Sequence, residues 1–141
     1  MKTTLKICMA VLALSSAAHL NPEAVMAQEQ TPEWLHFDIE DVRSERAEHG
    51  RPWQEFIRVP DLFTGLYEIP AGGEDRQSPH DADEVYYVIA GRATAVVEGD
   101  CIDVGPGSVL FVAKDKDHRF VDITEDLSIL VFFATPGEGQ D

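Results

Sequence analysis

From Pro52 onward the chain is punctuated into short runs of branched and aromatic residues separated by glycine-rich turns. This feature limits its fold more than any other. Phe63, Gly65, Tyr67 and Ile69 take alternate positions, the period of a strand with one buried face. Further strand-like runs are Glu84–Ile89, Ala93–Glu98, Ser108–Val112, His118–Ile123 and Leu127–Phe133. Between them lie Ala71-Gly-Gly73, Ala90-Gly91, Gly99-Asp100, Gly105-Pro-Gly107 and Lys114-Asp-Lys-Asp117, each carrying residues suited to turns. Short strands at near-regular spacing predict an all-β sandwich or barrel. No fixed-period repeat and no low-complexity segment interrupts the pattern.

Ahead of the strands the composition is different. Gln28 to Pro32 reads as a loose leader, and Ile39 to His49 as a short surface helix. Asp38 precedes it, where a carboxylate can accept the first free amide hydrogens, and Gly50 can supply a left-handed stop. Only Ile39, Val42 and Ala47 are apolar in this helix, so it is expected to pack lightly. His36 and His49 are expected to face solvent.

Residues 1–27 have the make-up of a signal peptide. Lys2 and Lys6 give a basic start, Ile7–Ala18 is almost wholly apolar or small, and Val25-Met26-Ala27 offers a cleavage site before Gln28. The run is short for a membrane span and Asn21-Pro22-Glu23 interrupts it. Export to the periplasm or beyond follows as an expectation. Cleavage would leave nine basic and 25 acidic residues, with Cys101 as the single cysteine and no internal disulfide. Cys101 is expected to be a small buried hydrophobe in a short strand.

A chain of 141 residues has room for one domain. Its 26 acidic and 11 basic residues give a net charge of −15, which excludes a phosphate-backbone partner and repels anionic membrane surfaces. The hydrophobic content of 44% is that of a folded chain.

Within the strand array His80, Glu84 and His118 carry metal-binding chemistry: two imidazoles and a carboxylate offer lone pairs to a divalent first-row metal and leave positions open. By spacing alone, surface or internally satisfied histidines are the better explanation of the same residues. The surroundings add information. Gly72 is followed by five residues, Ser78-Pro79-His80, three residues, Glu84, six residues and Gly91. This resembles the first motif of the cupin superfamily, in which the position of Ser78 is a histidine. Gly99-Asp-Cys-Ile-Asp-Val-Gly-Pro-Gly107, running on to His118-Arg-Phe120, is similar to the second motif.

The resemblance covers residues 55–134. It implies an antiparallel jelly-roll barrel with a short N-terminal helix, residues 28–54 forming leader and helix and residues 135–141 a flexible tail. It also implies that His80, Glu84 and His118 hold a mononuclear divalent metal (Fe, Mn, Zn or Ni) in the barrel mouth. Strand alternation would place Ser78 on the face of His80 and turn Gln77 away. Tyr86, Phe120, Ser78 and Gln77 would border the pocket, and Asp81 and Asp83 its acidic rim. Serine is a poor donor to such metals, so the site would have three protein ligands.

Three functions compete. A metal-dependent enzyme on a small organic molecule, dioxygenase-like, isomerase or lyase, would use Glu84 as base. A non-catalytic module would bind a small molecule or the metal. A structural homodimer, which the resemblance also implies, would use Leu127–Phe133 as part of its contact.

Overall fold

The computed structural model describes residues 31–134. The expected signal peptide and the tail 135–141 lie outside the described residues. Helix α1 spans Ile39–His49, and six strands follow: β1 Trp53–Val59, β2 Leu62–Ile69, β3 Asp83–Val97, β4 Asp100–Val104, β5 Val109–Val112 and β6 His118–Ala134. All neighbouring strands are antiparallel. Their order is β1-β2-β6-β3-β4, with β5 also paired to β3. Among the described residues the hydrogen-bonded path therefore runs open from β1 to β4 and does not close into the expected barrel.

One expected turn is absent, and two expected strands are one. Ala90-Gly91 was a predicted reversal between two strands, yet β3 runs straight through it for 15 residues. Likewise His118–Ile123 and Leu127–Phe133 merge into the 17-residue β6. The two long strands pair from Asp83↔Ala134 to Val97↔His118, with register shifts between Val88 and Thr94. Gly91 marks that irregularity. Its φ is +88°, and a Cβ there would lie 2.4 Å from the Asp126 carbonyl oxygen. The glycine permits a bulge and a close backbone crossing, not a turn.

One face of the sheet carries the core, including Ile69, Tyr86, Val88, Ala95, Phe120, Leu127, Ile129, Val131 and Phe133. Alternation explains the choice: in β3 Glu84, Tyr86 and Val88 are buried while Val85 and Tyr87 are exposed. Helix α1 is tied to the other face through Arg43 and Arg46, whose guanidinium groups reach Glu68 on β2. Val42 and Leu66, both fully buried, lie outside the main cluster.

Local chemistry explains the helix ends only in part. Gly50 has φ +67° and its N–H bonds to the Arg46 carbonyl, the expected left-handed stop. The Asp38 side chain, however, makes no capping bond; its backbone carbonyl accepts from Asp41 and Val42 instead. Cys101 is exposed, against expectation. It lies on β4, an end of the sheet path, whose first four residues are all exposed.

Candidate metal centre

Three elements deliver the three side chains. Glu84 enters from the start of β3 on its core-facing register, and His118 opens β6. His80 comes from the irregular stretch before β3, tied down where its carbonyl accepts the Asp115 N–H at 2.7 Å. One ligand atom from each of His80, Glu84 and His118 lies within 4.8 Å of the others. Residues 38 positions apart in sequence thus converge, although the β3–β6 register pairs Glu84 with Phe133 and His118 with Val97, so the meeting depends on how the two long strands curl and not on their pairing alone.

Glu84 is the hub. Its carboxylate lies 2.6 Å from Nδ1 of His80 and 3.6 Å from Nε2 of His118, and it accepts from the Tyr86 hydroxyl. The side chain is fully buried. Burial pushes its pKa up, but hydrogen bonds from His118, Tyr86 and His80 outweigh this and hold it below the ordinary value. For His118, burial works downward, while the Glu84 carboxylate and the Lys116 carbonyl raise its pKa overall. Burial, with Glu84 alongside, pushes the Tyr86 phenol far up, so it stays protonated through the neutral range.

The donor set fits a cation. Among the described residues no guanidinium or ammonium pairs with Glu84, so the buried carboxylate has only imidazoles and a phenol as partners. Nδ1 of His118 lies 2.7 Å from the Lys116 carbonyl, to which only an N–H can donate. With the ring neutral, Nε2 is then a lone pair facing inward, the form in which it could take a metal. The single Tyr86 proton then faces Nε2 of His118 at 2.8 Å, Oε1 of Gln77 at 3.1 Å and Oε2 of Glu84. In that form more lone pairs than protons converge here, as a metal site requires.

The motif's missing histidine is not replaced by Ser78, which is exposed. Gln77, expected to point away, instead reaches Tyr86. The stretch between β2 and β3 is not a strand, so alternation does not govern it. Phe120 is buried, with its ring edge-on to Tyr86 at 5.5 Å. Asp81 and Asp83 are exposed, and Asp83 accepts the Lys114 N–H.

Sequence reasoning missed Asp75. This buried carboxylate accepts from the Tyr67 hydroxyl at 2.6 Å, the Gln77 backbone N–H at 3.1 Å, the Gln77 amide at 2.8 Å and the Phe120 N–H at 2.8 Å. It therefore orients Gln77 with Oε1 toward Tyr86. Two of its donors, Tyr67 and Phe120, lie eight and 45 residues away, and nothing in its own sequence neighbourhood distinguishes it from the acidic residues around it.

Beside the cluster opens a pocket of about 380 Å³, walled by Trp53, Phe63, Tyr67, Val131 and Phe133 and shared with His80. The His80 and Phe133 rings meet edge to face at 5.2 Å, joining the apolar wall to the candidate ligand.

Known proteins share this architecture. An uncharacterized protein of Streptomyces coelicolor is 39% identical over 100 residues, covering 71% of this chain and 95% of its own. An RmlC-like cupin from Shewanella frigidimarina superposes with a TM-score of 0.55 at 22% identity, over 61% of this chain and 77% of that one. KdgF from Halomonas sp. gives a TM-score of 0.53 at 20% identity, over 64% and 91% of the two chains. Residues 65–133 match the cupin domain as a sequence family. With the motifs, the fold and the family match in agreement, the chain belongs to the cupin superfamily.

Proposed function

We propose that this protein is an exported metalloenzyme that holds one divalent metal with His80, Glu84 and His118 and acts, in the manner of a dioxygenase, on a small organic molecule seated in the adjoining pocket. The observation that carries the reading is the convergence of three donor atoms within 4.8 Å on a fully buried carboxylate, next to a pocket that shares His80. When bound, a first-row metal with two imidazoles and a carboxylate supplies Lewis-acid or redox chemistry at its open positions. The chain's own groups prepare the site. Glu84 stays ionised and offers the base, Tyr86 keeps a proton at the centre, and the Asp75–Gln77 pair fixes which way the Gln77 carbonyl faces.

Metal analysis of chelator-free protein tests the centre. Near-stoichiometric metal is expected, falling at least about tenfold in His118→Ala and His80→Ala; wild-type protein that takes up no metal on reconstitution overturns the reading. Oxygen uptake by the loaded protein with substrate supports dioxygenase chemistry, whereas turnover without oxygen consumption assigns an isomerase or lyase instead. The exposed position of Ser78, which leaves the motif's fourth ligand unsupplied, favours a second reading: a non-catalytic cupin that binds a small molecule or metal.

Export rests on the basic, apolar and small-residue order of positions 1–27, and a secreted form beginning at Gln28 would be its signature. Pairing with a second copy rests on the outer sheet face and not on the expected run Leu127–Phe133, whose Leu127, Ile129, Val131 and Phe133 are buried in the core. Val85 and Tyr87 on β3 stand opposite Phe111 and Val109 on β5, and all four are exposed. In a chain of net charge −15, an uncharged apolar face is where two copies approach with least repulsion.

A further inference from the structure

We infer that the pocket beside His80 takes a neutral, planar aromatic molecule with a single polar end, held by the ring of Trp53. This deepens the reading above, resting on it for the position of the reactive end.

The pocket is built from rings rather than from hydrogen-bonding groups. Phe63 and Phe133 stack face to face at 4.3 Å, and Trp53 meets Phe133 edge-on at 5.8 Å. Trp53 is set in place by a glycine. On the neighbouring strand a Cβ at Gly65 would fall 2.2 Å from the indole Cη2, so the ring lies directly on the backbone. Only a residue without a side chain permits that approach. Tyr67, opposite Trp53 across β1 and β2, donates its hydroxyl to Asp75 and so gives the pocket a ring with its polar atom engaged.

The remaining polar groups are engaged as well. Gln77 bonds through its carbonyl to Tyr86 and through its amide to Asp75. Arg76 is the one guanidinium or ammonium among the lining residues, and it is paired with Glu74 through both Nε and Nη2 at 2.9 Å. Asp81 adds an exposed carboxylate. An anionic ligand therefore meets only one cation, the exposed Arg76 already shared with Glu74, and enters the field of a strongly acidic chain. A ligand rich in hydroxyls meets ring faces and would lose its hydration without replacement. His80 is left as the polar group at the inner end. About 380 Å³ is at the small end of ligand pockets, room for one or two rings. A neutral phenol-like molecule meets each requirement.

Three probes of matched size separate the components: p-cresol, 4-methylcyclohexanol and 4-methylbenzoate. Binding is followed by calorimetry and by fluorescence of Trp53 in a Trp34→Phe background, Trp34 being the exposed second tryptophan. Saturable binding of p-cresol with a change in Trp53 emission is expected. The saturated ring should bind at least about fivefold more weakly, since it cannot make ring–ring contacts. The carboxylate should bind at least about tenfold more weakly, since its charge is desolvated without a partner. Gly65→Ala should displace the indole and weaken p-cresol at least about tenfold with metal content unchanged; should it fail to fold, Phe133→Leu carries the same expectation. Equal affinity for the three probes, or no saturable p-cresol binding, overturns the inference. Running the titrations on chelated and metal-loaded protein keeps the two ideas apart. Protein that takes up no metal on reconstitution yet still prefers p-cresol sinks the metal centre alone, and metal-loaded protein blind to p-cresol sinks the aromatic pocket alone.

Discussion

The Tyr86 hydroxyl lies 2.8 Å from Nε2 of His118, and the same oxygen contacts Glu84 and Gln77. One phenolic proton thus serves two candidate metal ligands and the residue that borders them. Tyr86→Phe keeps the ring against Phe120 and removes only that oxygen. The expected result is a loss of about 1–3 kcal/mol in urea denaturation of metal-free protein, from the unsatisfied Gln77 carbonyl. Metal stoichiometry should be retained, because the imidazoles and the carboxylate remain. A variant that loses its metal would instead make Tyr86 a ligand.

Asp75 gathers four hydrogen bonds from Tyr67, Gln77 and Phe120. In Asp75→Asn one of the accepting oxygens becomes an NH2 that opposes N–H and O–H donors. A destabilisation of about 2–4 kcal/mol is expected, read as a lower denaturation midpoint with unchanged slope. An unchanged midpoint would show that these contacts add nothing to stability.

Glu68 gives the fold a pH dependence. Burial raises its pKa, but hydrogen bonds from Arg43 and Ser128 and the charges of Arg46 and Arg43 prevail, so its folded value lies below the ordinary one. A carboxylate with a depressed folded pKa binds fewer protons folded than unfolded. Its stabilisation is therefore present above the unfolded value of about 4.3 and fades as the pH falls through the folded one. Denaturation midpoints measured from neutral pH down to about pH 3 should fall less steeply in Glu68→Gln than in wild type. Parallel curves would remove Glu68 from the account.

Phe111 is 60% and Val109 68% exposed on the outer face of β5. If this face joins two copies, Phe111→Asp places a like charge against its symmetry mate and should shift sedimentation from dimer to monomer at micromolar concentration. The fold should be unaffected, since neither side chain belongs to the core. A wild type that sediments as a monomer throughout rules the contact out.

The strand-rich character, the helix and its glycine stop, and the three candidate ligands were legible in the sequence. Each depends on residues near one another or on a motif whose spacing encodes strands and turns. Glycine at 91 was legible as a constraint but misread as a reversal, because a positive φ serves a bulge as well as a turn. The approach of Asp126 from β6 distinguishes the two, and it lies 35 residues away. Cys101 was misplaced for a similar reason: alternation gives a face, whereas burial depends on whether a neighbouring strand covers it.

The amino-acid sequence alone determined that the chain forms antiparallel strands of the cupin type and which imidazoles and carboxylate could meet, because backbone preferences and motif spacing act over a few residues. Only the tertiary structure decided that Asp75 orders Gln77 against Tyr86, that Ser78 stands outside the site, and that Trp53 rests on Gly65 to wall a pocket beside His80. Those relations turn on how the loop before β3 and the paired strands β1 and β2 pack, and hydrogen bonding and packing select them only after the strands have come together.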